Sequence, residues 1–259
     1  MPMNPRLLVP RATGISSPLV ISGCIGWYDS LDLTAMAANS DGTGAVAVGG
    51  QVGWWKDKSA TGATVTQSIG ANRPTLTANS VNGRAALFFD GSNDTLASAA
   101  GYTAQNSLSG LTRIVVFRNT RIGDTAFPSF ITRVWNGGGD GIQITLDTFR
   151  LFANATANYT SFGSLPGQAG NAMPLGVYSF VYGGSAMSLR FGGQSISGTV
   201  TGTIPATTGG GSPTLFIGSN IGANNFFGGA FAEYIIYNRA LSASELTAVE
   251  AFLRKKWGL

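Results

Sequence analysis

The C-terminal end of the chain leaves few choices of fold. An apolar, aromatic run, Phe226-Phe-Gly-Gly-Ala-Phe-Ala-Glu-Tyr-Ile-Ile-Tyr237, passes through Asn238-Arg-Ala-Leu-Ser242 into one short amphipathic segment. The run reads as a strand and the segment as a helix. Ser242 and Glu245 have capping-box spacing: the hydroxyl accepts the N–H of the third helical residue while the carboxylate reaches back to the cap. Leu241 and Leu246 are placed to form the hydrophobic staple. Leu246, Val249 and Leu253 then share one face with Phe252 beside it, Lys255 and Lys256 sit where the helix dipole favours cations, and Gly258 ends the helix. We expect a helix packed as a lid on a sheet.

Composition agrees with a sheet-rich body. At 259 residues the chain is long enough for two average domains, yet all-β sandwiches commonly reach this size as one unit. The 37 glycines and the 11 % share of charged residues suit many strands joined by tight turns. Sheet edges are normally blunted with charge, so a surface this poor in charge predicts association with neighbours.

Several function classes fall away. The net charge of +4 comes from scattered Arg and Lys, with only Lys255 and Lys256 adjacent, so no basic stripe marks nucleic acid as a partner. The chain has no histidine, which removes Ser-His-Asp and Cys-His nucleophilic sites and imidazole metal ligands. The single cysteine, Cys24, lies in an apolar run between Ile21 and Trp27 and reads as a buried structural thiol. No run approaches the ~18 apolar residues of a membrane span. Pro10 and Arg11 interrupt any apolar signal core, so we expect no secretion signal and no membrane partner.

Residues 1–22 carry Pro2, Pro5, Pro10 and Pro18 and read as an extended N-terminal arm. Leu7, Leu8 and Val9 can be buried on a partner, and Arg6 and Arg11 can meet carboxylates there, making them candidates for assembly contacts. The body, residues 23–259, opens with Cys24-Ile-Gly-Trp-Tyr-Asp29, followed by Trp55-Lys-Asp57 before Ser59, Asn72-Arg-Pro74, Asn82-Gly83 and Phe89-Asp-Gly91. Strands are predicted at Leu111–Phe117 and Val177–Tyr182. Met187–Phe191 and Gln194–Ser197 form a hairpin around Gly192-Gly193, and Phe149–Phe152 pairs Tyr159–Phe162 across Asn154–Asn158. Asn136–Asp140 and Thr207–Pro213 read as flexible loops.

The order Trp-x-Asp, Trp-x-Asp-x-Ser, Arg-Pro, Asn-Gly and Phe-Asp-Gly, together with the C-terminal strand and helix, resembles the concanavalin A-like lectin/glucanase superfamily. Within it, the resemblance is to the laminin-G-like jelly rolls of bacterial and tailed-phage proteins, and it covers roughly residues 24–98 and 214–258. It implies an all-β, antiparallel two-sheet jelly-roll sandwich with one short C-terminal α-helix. It also implies a place on a particle, with virion proteins such as a major capsid protein as partners.

Three kinds of chemistry remain to be weighed. Retaining glycoside hydrolysis needs two carboxyls roughly 5 Å apart. The glucanases of the superfamily carry an alternating acidic cluster, whereas the three glutamates here are Glu233, alone in its strand, and Glu245 and Glu250 on the helix. We read Glu233 as a hydrogen-bonded structural acid and expect no catalytic residue. Asp90, Asn93 and Asp94 offer hard oxygen ligands suited to calcium, or else form a β-turn that bonds its own backbone around Gly91; no cofactor is required. Sugar stacking needs exposed aromatic rings beside hydrogen-bonding groups, and Trp135, Tyr159, Asn224 and Phe226 are the candidates. Trp54 and Trp55 are adjacent, so a strand sends them to opposite faces and one can point outward.

The expected function is that of a non-enzymatic structural component of a bacteriophage virion, such as a capsid decoration protein, associating as a homo-oligomer. The alternative is a carbohydrate-binding adhesin or receptor-binding module with a surface glycan as ligand; a glycan hydrolase ranks third.

Overall fold

The computed structural model describes residues 14–120, 129–135, 138–145, 148–153, 155–163, 165–168, 172–220 and 225–259. Arg6, Leu7, Leu8, Val9, Arg11 and Asn224 lie outside the described residues. Strands are numbered in chain order. One sheet runs β15 (Gln194–Ile196), β14 (Ala186–Phe191), β13 (Met173–Gly183), β8 (Gly110–Asn119), β18 (Gly228–Tyr237), β6 (Arg84–Asp90) and β5 (Thr75–Val81), and β1 (Cys24–Asp29) pairs the second half of β18. The other runs β16 (Gly198–Thr201), β12 (Ala155–Phe162), β11 (Thr148–Ala153), β10 (Gly138–Thr145), β9 (Ser129–Trp135), β17 (Thr214–Ile217), β7 (Leu96–Ser98), β4 (Thr64–Thr66), β3 (Trp54–Lys56) and β2 (Met36–Ala37). The described ladders are antiparallel. The architecture is an all-β sandwich closed by one helix, α1 (Ala243–Trp257).

The first sheet is covered on both faces, which explains why its central strands lack polar alternation. Leu111, Val115 and Phe117 of β8 point into the space between the sheets, while Ile114 and Val116 point out beneath α1. Tyr178 and Phe180 of β13 face inward and Val177 faces the helix. In β18 a bulge at Ala232 breaks the alternation and turns both Ala232 and Glu233 toward the helix. The helix seats Leu246, Val249, Leu253 and Trp257 on this outer layer. Its capping box forms as the spacing predicts, and Gly258 takes the left-handed C-cap conformation at φ +68°.

Residues 14–22 belong to this layer. Ser17 caps a short helical turn, Pro18–Val20, whose Pro18 carbonyl accepts the Tyr237 hydroxyl at 3.0 Å. Ile21 is buried, and the Arg239 guanidinium donates to Ser22 O. This part of the expected arm packs on its own domain.

Between the sheets lies a charged cluster absent from the sequence reading. Asp140 accepts from Arg113 and Arg133, all three buried. Gln105 Oε1 accepts from Arg113 Nη2 at 2.7 Å, and Gly209 O from Arg133 Nη2 at 3.2 Å. The Asn136–Asp140 segment, expected as a loop, is therefore strand from Gly138 onward, because a buried carboxylate between two guanidiniums fixes its end. Thr208 Oγ1 donates to Gln105 O at 2.6 Å and ties the Thr207–Pro213 loop to the same cluster. The hairpin around Gly192-Gly193 forms in the predicted register, Phe191 opposite Gln194. The other predicted hairpin is tighter than expected, since β11 and β12 stay paired as far as Ala153 and Ala155.

Candidate functional site: the outer face of the ten-stranded sheet

Among the described residues no helix packs on either face of the second sheet. Its inward positions, Trp55, Val65, Leu96, Leu215, Ile131, Ile142, Leu151 and Phe162, fill the core; of the alternate positions, Trp54, Thr66, Ala97, Phe216 and Tyr159 are half-exposed and Thr201 exposed, while Ala37, Thr132, Gly141 and Phe152 are buried. Pairing registers align these alternate positions into one row that crosses every strand of the sheet. The row is Ala37, Trp54, Thr66, Ala97, Phe216, Thr132, Gly141, Phe152, Tyr159 and Thr201. At about 4.8 Å per strand, Trp54 and Phe216 stand about 14 Å apart, and Tyr159 lies four strands beyond Phe216.

The row alternates rings with small or hydroxyl-bearing side chains. Beside Phe216 an open cleft of about 560 Å³ is lined by Thr64, Thr66, Ala97, Ser40, Gln67 and Ser68. No charged side chain lines it. Trp54 is half-exposed while Trp55 is fully buried, which settles which of the adjacent pair points outward. Gly141 serves the row by having no side chain: a Cβ there would lie 2.5 Å from Ile131 O and 3.1 Å from the Phe152 ring, so only glycine lets that ring cross β10. At the far end the Arg150 guanidinium lies 4.4 Å from the centre of the half-exposed Tyr159 ring, a cation–π stack that holds the ring in place.

Of the carbohydrate candidates read from sequence, Tyr159 is in this row. Phe226 is half-buried beside the core residue Phe227. Trp135 ends β9, but its side chain is outside those described. Phe216, Thr66 and the Arg150 stack were missed, because only strand register reveals which residues of eight different strands are neighbours.

The acids lie elsewhere. Glu233 is fully buried beneath α1, where it accepts from the indoles of Trp27 and Trp257, each at 2.6 Å, and pairs with Lys256 at 2.7 Å. Lys256 also pairs with Asp29 at 2.7 Å, so two carboxylates share one ammonium. Burial raises the Glu233 pKa and Lys256 opposes the rise. Both oxygens are occupied, and the group faces a helix instead of the cleft.

Asp90 Oδ1 accepts from the N–H groups of Ser92 and Asn93, Gly91 has φ +79°, and Asp94 Oδ2 accepts from Asp90 N at 2.9 Å. This is the geometry of a self-bonded turn. Burial pushes the Asp94 carboxyl up to about 7. Among the described residues no cluster of three or more acidic, cysteine or histidine side chains is placed to hold a metal. The Cys24 thiol is pushed up to about 11 by burial and stays protonated at neutral pH. No described helix is long and apolar enough to cross a membrane.

No family model matches the chain, and no curated protein sequence matches it. Solved structures do. The binding domain of botulinum neurotoxin DC in complex with SialylT aligns at TM-score 0.59 and 14 % identity, over 90 % of this chain and 52 % of that one. A Trypanosoma rangeli sialidase in complex with 2,3-difluoro-KDN aligns at 0.58 and 14 %, over 92 % of this chain and 33 % of that one. Domain 4 of a GH43 extracellular arabinanase from Geobacillus stearothermophilus, in complex with arabinotriose, aligns at 0.50 and 13 %, over 88 % and 98 %. The likeness is one of fold. This chain spans a third of the sialidase and about half of the toxin domain.

Proposed function

We propose that the protein is a non-enzymatic glycan-binding module whose ligand lies across the outer face of the ten-stranded sheet. The observation that carries this is the cleft beside Phe216, lined by hydroxyl and amide side chains with no charged one among them, on the same side of the sheet as the half-exposed rings of Trp54 and Tyr159. Rings offer apolar faces to sugar C–H groups, and Thr64, Thr66, Ser68 and Gln67 supply the donors and acceptors a sugar needs. A cleft without charged side chains favours a neutral glycan. The sialidase, toxin and arabinanase structures, each solved with a sugar or sugar derivative, support a saccharide ligand by analogy of fold.

The test is titration calorimetry against a panel of neutral and acidic oligosaccharides. Trp54→Ala and Phe216→Ala should each weaken binding about tenfold or more, with melting little changed because both rings stand on the solvent face. Binding that survives both substitutions would move the site off this face.

The finer role, a surface component of a bacteriophage particle with capsid proteins as partners, is part of the same proposal. Its support is the sequence resemblance and the sparse charge. Co-purification of the tagged chain with intact particles checks it; recovery only as free protein would leave the glycan-binding module on its own.

A further inference from the structure

Among the described residues five strands have a side that no other strand pairs, and four of them are protected against pairing with another chain; that of β1 is met by Asp57 and Lys58, through Trp27 N to Asp57 Oδ1 at 2.6 Å and Lys58 N to Trp27 O at 2.8 Å. The outer groups of β5 are taken by residues 49–52, through Gly49 N to Leu76 O at 2.7 Å and Leu76 N to Gly50 O at 2.9 Å. The strand also carries a bulge where Asn79 has φ +52°. β2 is two residues long and runs into the Asn39–Thr43 turn. β15 is three residues long, with Arg190 bonded to Gly193 O and the Arg254 guanidinium against Gly193. Among the described residues β16 has no bulge, charge or covering segment on its outer side. Its four residues, Gly198-Thr-Val-Thr201, are all exposed, Val200 at 55 %. The sequence from Phe191 to Ala232 contains no charged residue. Natural edges are normally blocked by charge, proline, bulges or cover.

The free hydrogen-bonding groups of this edge can be assigned. Gly163 N donates to Ser197 O, and Thr203 N donates to the Asn158 side chain. In an antiparallel pair the residues that bond the neighbour alternate. With Tyr159 opposite Thr201 and Ser161 opposite Thr199, the odd-numbered residues of β16 therefore bond β12, and the N–H and C=O of Gly198, Val200 and Gly202 point away.

We propose that β16 is the self-association edge of this protein, pairing antiparallel with β16 of a second copy about a two-fold axis at Val200. A second copy is the partner the edge fits. Two-fold pairing centred on Val200 sets each Thr199 opposite the partner's Thr201, a favourable cross-strand pair, and Val200 opposite itself. Self-opposition is penalised for a charged strand, and this strand has no charge. Four residues bury little area, so the dimer is weak and concentration-dependent. Its geometry has a consequence for ligand: Thr201 ends the ring-bearing row, so the ten-stranded sheets of two copies join into one surface on which the two rows run parallel, offset by two residues or about 7 Å, and bind a repeating glycan bivalently.

Sedimentation velocity over a concentration series tests this. The wild-type chain should move from one to two chains per particle as concentration rises. Val200→Lys sets two ammonium groups against each other, and Val200→Pro removes an N–H that β12 does not use. Both should remain monomeric with the wild-type circular dichroism spectrum. On a glycan-coated surface both should lose avidity while keeping the single-chain affinity in solution. A wild-type chain that stays monomeric at the highest attainable concentration overturns the proposal, as do variants that dimerise like wild type. A dimer that these substitutions disrupt but that binds no glycan leaves the edge assignment standing and removes only the glycan reading.

Discussion

The Trp257 indole, on the last turn of the C-terminal helix, donates to Glu233 Oε2 in the middle of β18 at 2.6 Å. Trp27 donates to the other oxygen and Lys256 completes the set, so one buried carboxylate ties β1, β18 and α1 together. Glu233→Ala would leave two indole N–H groups without their acceptor and the Lys256 ammonium with Asp29 alone. Removing one partner of a buried ion pair costs about 3–5 kcal/mol, and urea unfolding should show a loss of that order. A loss below about 1 kcal/mol would mean that water replaces the carboxylate, and that the helix is held by apolar contacts alone.

Those apolar contacts have a separate test. Leu253 is fully buried between α1 and the sheet. Leu253→Ala should destabilise the fold by about 2–5 kcal/mol, read as a lower urea midpoint at unchanged slope. An unchanged midpoint would place the side chain outside the packed layer.

Sequence made the helix legible because its capping box, staple and apolar face are local patterns. The Trp54 and Trp55 split was legible for the same reason, since alternation along one strand needs no partner. The row from Trp54 to Thr201 was not. Phe216 lies 162 positions from Trp54, and the two share a face only because Thr66 and Ala97 stand in register between them. The Asp140 cluster was hidden for another reason: glycines before an acid signal a turn, and only the facing guanidiniums reveal a buried strand end. Glu233 is hydrogen-bonded as expected, but it is fully buried and its indole partners lie 206 and 24 residues away.

Acid titration should reveal Asp94. Its folded carboxyl titrates at about 7 because burial disfavours the charge, so the native state holds a proton that the unfolded chain releases near pH 4. Its stabilising effect is full below about pH 4 and is lost as pH rises toward about 7. Glu233, raised by burial, acts in the same direction. Glu245, lowered to about 2 by Arg239, has the opposite slope, but only under more acidic conditions. Melting temperature should therefore fall between about pH 4.5 and about pH 7.5, and Asp94→Asn should flatten the fall. An equal slope in the variant would assign the effect to other groups.

Calcium addition and chelation test the Asp90 turn. Asp90 Oδ1 and Asp94 Oδ2 already accept backbone N–H groups, so a cation would have to displace bonds that close the turn. We expect the melting temperature to be indifferent to both treatments. A rise with calcium that Asp90→Asn abolishes would show that Asp90, Asn93 and Asp94 hold the ion, since a ligand confined to the folded state raises stability by mass action.

Residues 18–22 tie the N-terminal segment to the domain. Pro18 O accepts the buried Tyr237 hydroxyl, Ile21 fills the layer under α1, and Ser22 O accepts the Arg239 guanidinium. Deleting residues 2–13 removes none of these contacts and should leave melting within about a degree of wild type if these contacts are what fixes the segment. Deleting residues 2–22 removes all three. It opens a void where Ile21 packed and leaves the Tyr237 hydroxyl without an acceptor, at a cost of about 1–3 kcal/mol for the hydroxyl alone and more for the void. If the proposed particle role holds, the shorter deletion should abolish incorporation into particles while preserving the fold, separating attachment through Leu7, Leu8 and Val9 from stability. Full incorporation after the shorter deletion would remove residues 1–13 from the attachment. A longer deletion that melts like wild type would show that the contacts of Pro18, Ile21 and Ser22 add nothing to the domain.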